Sequence, residues 1–400
     1  MPHVYVPVDD LYGFVNEPAK HYWVPRPPQT SPHLVNQAPD FHFFVELGLL
    51  VRSRRRNHNE ASGLEDEISA RLTKFGIPNH IARTGTARSS IKPEEWTISS
   101  ELCIPPNPQD HRFGIKLVSP VMCFMERPES WQRAFRVVMD LLDRYFELMK
   151  SHSCFTHVHI VPHNGAWSLY QVKNLAKTAL YFEQCLDSIM PPYRRKSVWA
   201  KSNRHNSYFR SLRSYECFDA IDSLPTFEDL AAVMNWCSGD SATGRALYGE
   251  NNTDGLHEDF PHDACRWGFA NLNRLGGGHG TVEFRQPPGS TTAKEVITWV
   301  MLVGCLARLS CTHGSTLNPN EKGQLPGLRE WLLWEAKRCH LPRRNLLEDL
   351  LHQEVQMHVR HGCVGMDADF ISSDEENRLR QKLDDRNIAG EKYRHWFSQQ

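Results

Sequence analysis

Gly280-Thr281-Val282-Glu283-Phe284-Arg285-Gln286-Pro287-Pro288-Gly289 is the stretch on which the reading of this chain turns, together with Thr156-His157-Val158-His159 upstream. Side chains alternate across a strand. Glu283 and Arg285 therefore share one face, around an apolar Val282 and Phe284, and His157 and His159 share one face around Val158. A carboxylate can take Mg²⁺, and the planar fork of an arginine can take phosphate oxygens. Taken singly, Glu-x-Arg reads as a solvated ion-pair face and His-x-His as two satisfied sheet histidines. The turn formers Gly276-Gly277-Gly278 before the first stretch and Pro287-Pro288-Gly289 after it frame a short apolar strand. Charges inside such a frame point to a site.

Working outward, 400 residues with 40% hydrophobic content and 11 Trp suffice for one large, well-buried domain with additions. A net charge of -1 gives no electrostatic case for nucleic acid or an anionic membrane as partner. The one dense basic run, Arg52 with Arg54-Arg55-Arg56, reads as a solvated loop. Eleven cysteines include no Cys-x-x-Cys pair, which argues against structural zinc, and Cys185, Cys237 and Cys305 read as small buried hydrophobes. No leader pattern opens the chain, and the longest apolar run, Val296 to Leu309, is short for a bilayer. A cytoplasmic protein is expected.

Residues 1–40 read as a Pro-rich arm. Strands are expected over Phe41–Val51, Trp96–Ile104, Phe113–Val121 and around His157 and Glu283. Helices are expected over Leu64–Phe75, Glu129–Lys150, Ser168–Met190, Phe227–Cys237 and Ala293–Leu309, on apolar stripes of helical spacing. Beyond 312 only helices are expected, near 327–340, 343–358 and 374–395. The fold class is α+β on a mainly antiparallel or mixed sheet, with a principal domain over 41–312 and a helical extension over 313–400. Trp299, Trp331 and Trp334 read as core, and Asn271 and Asn273 as turn caps.

The order of these motifs resembles the amidoligase family over about residues 40–310. It runs from a strand with Glu46 to a Trp96-headed strand, Lys116-Leu117-Val118-Ser119-Pro120, Cys154 before His157-Val158-His159, Arg266-Trp267 with Asn271, and Thr281-Val282-Glu283-Phe284-Arg285. The resemblance, to a fungal-type member suited to secondary metabolism, implies a glutamine synthetase-like curved antiparallel sheet flanked by helices. It implies ATP and Mg²⁺ as cofactors, and a small-molecule or peptide carboxylate and an amine joined through an acyl phosphate. By motif match Glu46, Glu101 and Glu283 are metal ligands, and Glu283, Arg285 and His157 are catalytic. His159, Arg204, Arg285 and Lys116 line the nucleotide.

The chain departs from that pattern. Glu46 is followed by Gly48 where the family has Glu-x-Glu. The family's Asp-Gly-Ser has become Glu101-Leu102-Cys103, and its Glu-Leu-Val-Ser-Pro begins with Lys116. An ammonium close to a divalent ion is strongly repelled. Either Lys116 stands where a metal stood, pairing with Glu46 or Glu283 so that at most one cation binds, or it points elsewhere. A catalytically silent binding protein is a second reading. A transition-metal hydrolase or oxygenase site built on His157, His159 and Glu283 is a third. Loops near 52–60, 190–207 and 238–262 would carry specificity.

Overall fold

β1 (Phe41–Ser53) is the axis of the molecule and shows how the sequence builds it. Its odd residues Phe41, Phe43, Val45, Leu47, Leu49 and Val51 are buried against helices, while His42, Phe44 and Glu46 are half-buried on the other face. A computed structural model describes residues 39–82, 92–163, 165–195, 197–206, 208–235, 265–272, 280–321 and 323–352. The expected arm, the 238–262 loop, Gly276–Gly278, Asn273, Cys237 and the helix at 374–395 lie outside these.

The strands that follow are β2 (Asn79–Ile81), β3 (Trp96–Ser100), β4 (Phe113–Val118), β5 (Met122–Cys123) and β6 (Phe146–Met149). After them come β7 (Phe155–Pro162), β8 (Trp267–Gly268) and β9 (Val282–Phe284). Among the described residues they form one sheet in the order β2-β3-β4-β1-β7-β9-β8, with β5 and β6 also pairing with β1. All pairings are antiparallel except β2 with β3. The α+β class and the mainly antiparallel sheet flanked by helices are as expected.

Nine helices accompany the sheet among the described residues. They are α1 (Ala61–Lys74), α2 (Pro128–Tyr145), α3 (Leu169–Ser188), α4 (Pro192–Arg195), α5 (Ser214–Ser223), α6 (Phe227–Met234), α7 (Ala293–His313), α8 (Leu325–Arg338) and α9 (Asn345–Leu351). α3 starts on a capping box in which Ser168 and Gln171 exchange side-chain and backbone hydrogen bonds. α2 ends earlier than its apolar stripe suggests. At Phe146 the chain passes straight into β6, which pairs Phe146–Met149 with Leu50–Ser53. Phe146 and Leu148 fit either period, so ladder hydrogen bonds decide the matter. The same pairing sets Arg52 beside Glu147 at 2.6 Å, so the basic run begins in an ion pair and not in open solvent.

α7 is buried on all sides and carries the core. It runs past the Arg308 at which the apolar pattern breaks, because Glu335 receives the Arg308 Nε at 2.7 Å. Its length and hydropathy would suit a bilayer, but 94% of that apolar window is buried inside the fold, as in a core helix. Each fully buried Val or Leu along it contributes roughly 1.5–3 kcal/mol. α8 and α9 are no separate unit: Leu328, Trp331, Leu332 and Leu347 join the same core as α7 and β1.

Candidate functional site

Sheet register alone assembles the site. On the face turned away from α7, three rows run across the strands. Ser99, Lys116, Gly48 and Phe155 form one, and Thr97, Val118, Glu46 and His157 the next. Phe44, His159, Glu283 and Gly268 form the third, with Arg285 two residues beyond Glu283. Residues opposed in a ladder share a face, so the alternation that buries Val158, Val282 and Phe284 delivers the polar groups together.

Glu283 is the hub. Its Oε1 accepts a hydrogen bond from Arg285 Nη1 at 2.7 Å and lies 2.9 Å from His157 Nδ1 and 3.4 Å from His159 Nε2. Glu46 stands slightly back, 3.8 Å from His157 Nδ1 and 4.0 Å from His159 Nε2. Lys116 Nζ reaches Glu46 Oε1 at 3.9 Å, so of the two placements open for Lys116 the pairing with Glu46 is the one found. The site has a floor and a mouth. His157, His159, Glu283 and Arg285 keep 3 to 6% of their side chains exposed, against 20% for Glu46 and 30% for Lys116.

The charges follow from this packing. Burial opposes ionisation of Glu283, but Arg285 and then the two imidazoles outweigh it and hold the carboxyl well below the usual range. Glu46 is also lowered against its burial, by Lys116 first and then His157 and His159. The imidazoles part company. Burial and the Arg285 charge lower His157, whereas at His159 burial is overcome by Glu283 and Glu46 and the pKa rises.

Glu46, His159 and Glu283 each present one donor atom, and the three lie within 4.8 Å of one another. Two carboxylates and an imidazole suit a hard or borderline dication. Both ring nitrogens of His157 and Nε2 of His159 are buried without an aligned hydrogen-bond partner, because the short approach of His157 Nδ1 to Glu283 is off-line. These residues fit one ion at the floor. The acid expected at position 48 has been replaced in space as well as in sequence, since a Cβ at Gly48 would lie 2.4 Å from Phe155 Cε1. That ring stacks on His157 at 4.1 Å, and Phe44 stacks on His159 at 4.2 Å.

Two expected site residues are elsewhere. Glu101 pairs its backbone with Gly114, level with Leu50 and not Glu46, and its carboxylate accepts the Cys103 N–H at 3.0 Å. It folds back on its own turn because β3 ends one residue before it. Arg204 spends its guanidinium on the carbonyls of Phe209 and Leu212, at 2.8 and 2.6 Å, and so shapes a loop. Sequence reasoning passed over Arg194. It is fully buried, donates to the carbonyls of Arg285 and Gln286 at 2.6 and 3.1 Å, and leaves Nη1 without a hydrogen-bond partner among the described residues. Burial and the nearby Arg285 push its pKa down to about 10. The surviving signal was the pair Arg194-Arg195 following Pro191-Pro192, which reads equally well as an exposed turn.

Residues 54–307 match the profile of the family described as "Putative amidoligase enzyme". The chain belongs to this amidoligase family. His157, His159, Glu283, Arg285 and Lys116 fall within the matched amidoligase span, whereas Glu46 and Gly48 precede it and reach the site through the register of β1. No curated protein matches the chain. Among solved structures it is similar to a bifunctional glutathione synthetase from Pasteurella multocida, at 11% identity and a TM-score of 0.35. That similarity covers 88% of this chain and 53% of the synthetase, so the chain spans about half the length of that structure.

Proposed function

We infer that the protein is an ATP-dependent carboxylate–amine ligase working with a single divalent ion. The observation that carries this reading is the convergence of Glu46, His159 and Glu283 within 4.8 Å beside the Arg285 guanidinium, in a chain of the amidoligase family. In the reaction the substrate carboxylate takes the γ-phosphoryl group of ATP, releasing ADP. An amine then displaces phosphate from the acyl phosphate and gives up a proton. A divalent ion bound at this donor set would offset charge on the transferring phosphoryl group.

The chain's own groups account for the remainder. Arg285 holds a phosphate oxygen by its planar fork while Glu283 keeps it oriented. Arg194 offers a second buried guanidinium N–H to the same anion. His157, with its pKa lowered, is neutral near pH 7 and accepts the amine proton on a ring nitrogen. His159, with its pKa raised, serves as a donor when it is not ligating. Phe44 and Phe155 hold both rings in place and exclude water.

One observation favours a second reading, a binding protein without turnover: Lys116 sits 3.9 Å from Glu46, on the ion's approach. Hydroxylamine separates the two readings. It traps an acyl phosphate as a hydroxamate, so a library of carboxylic acids with Mg²⁺–ATP and hydroxylamine should yield hydroxamate and ADP. Calorimetry in which neither Mg²⁺ nor Mn²⁺ promotes ATP binding would remove the ligase reading.

A further inference from the structure

At the other end of β1, on the same polar face, His42, Cys123 and His163 bring two imidazoles and a thiol together, with their three donor atoms within 4.8 Å of one another. Ligands around one ion at bond lengths of about 2.0–2.3 Å have this spread. Three strand ends supply them. His42 on β1 opposes Cys123 on β5 in register, and His163 is the first residue after β7. The His163 N–H donates to the Asp40 carbonyl at 2.9 Å, which ties that end of β7 to the start of β1. The two imidazole centroids are 4.5 Å apart.

The surroundings suit a cation better than three side chains left to themselves. Asp40 Oδ1 accepts the N–H groups of Phe41 and Met125 at 2.7 and 3.0 Å, which fixes the carboxylate. Its Oδ2 accepts the Cys123 thiol at 3.0 Å, and Cys123 Sγ lies 3.8 Å from His163 Nδ1. Glu126 adds a second negative charge near His42. Of the nine cysteines described, Cys123 alone is not fully buried, so an ion can reach it from solvent.

We propose that His42, Cys123 and His163 bind a zinc-type transition-metal dication, with the Asp40 carboxylate beside the sulfur and the fourth position open to water. On binding, the S–H bond breaks, a sulfur–metal bond forms and one proton leaves to solvent. The ion staples the ends of β1, β5 and β7. Its sulfur ligand and a separation of about 13 Å, four residues of strand, distinguish it from the Glu46–His159–Glu283 centre.

Cobalt(II) is the probe. Added to the chelator-treated full chain, it should give a thiolate-to-cobalt charge-transfer band that zinc bleaches. The Glu46–His159–Glu283 centre has no sulfur and stays silent in this readout, so the outcome is independent of ATP binding. Cys123→Ser should abolish the band. His163→Ala, at an exposed position that leaves folding intact, should weaken cobalt affinity by at least about tenfold. No band in the parent protein, or a band that survives both substitutions unchanged, overturns the site and leaves a thiol–carboxylate hydrogen bond only.

Discussion

The ring of Phe155 fills the space that any side chain at Gly48 would need, for a Cβ there would meet Phe155 Cε1 at 2.4 Å. Together with Lys116, directly opposite Gly48 in the ladder, this turns one row of the polar face from acidic to aromatic and cationic. The rows of Glu46 and Glu283 keep their carboxylates. With carboxylates in the rows of Glu46 and Glu283 and none in the row of Gly48 and Lys116, the proposed ligase is expected to hold one ion and not several.

Gly48→Glu alone should destabilise the fold by about 1–3 kcal/mol through overpacking against the ring. Adding Phe155→Ala should recover much of that loss and admit a second divalent ion. Thermal melts with and without Mn²⁺, and the calorimetric stoichiometry, check both parts.

Lys116→Glu should raise Mg²⁺ or Mn²⁺ affinity by about tenfold, as a repulsive charge near Glu46 becomes attractive. Because Lys116 is 30% exposed, salt should shrink the gain. Titration of the two proteins at low and high ionic strength is the test, and equal affinities would count against a metal at Glu46.

Glu283→Gln keeps the shape of the side chain but removes the carboxylate charge that faces the buried Arg285 guanidinium. Its expected cost is about 3 kcal/mol in denaturant unfolding. Glu283→Gln with Arg285→Met should regain stability, and neither variant should bind Mg²⁺–ATP. A double variant that is stable and still binds nucleotide would remove Glu283 from the site.

The two imidazoles should titrate apart in metal-free protein, His159 above the ordinary 6.5 and His157 below it. The raised ring stabilises the fold at low pH, and that contribution fades as pH rises through its folded value. The lowered ring contributes above pH 6.5 and loses that contribution as pH falls through its folded value. Glu46 and Glu283, both lowered, contribute above about 4.5 and are lost on further acidification. Imidazole NMR with His157→Gln and His159→Gln for assignment should show this order, and a shared midpoint would falsify it.

Much of the polar face was legible because strand alternation is a local rule. Glu283 with Arg285, and His157 with His159, could be paired from spacing, whereas Glu46 was reached only through the family resemblance. What spacing could not give was partnership across the sheet. Phe155 over Gly48, Phe146–Met149 drawn out of a helix by β1, and Arg194 reaching the carbonyls of Arg285 and Gln286 all join residues far apart in sequence. Glu101 and Arg204 failed for a related reason. Motif matching carried residue types to those positions, but Glu101 folds onto its own turn and Arg204 onto its own loop.

The grip of Arg194 on the two carbonyls after Glu283 makes β9, a strand of three residues, a passenger of the segment that begins at Pro191. Evolution can therefore shift the Glu283–Arg285 pair by editing a buried connection outside the sheet, with no change to either residue. Variants selected for new substrates should accumulate between residues 190 and 206, ahead of the sheet itself.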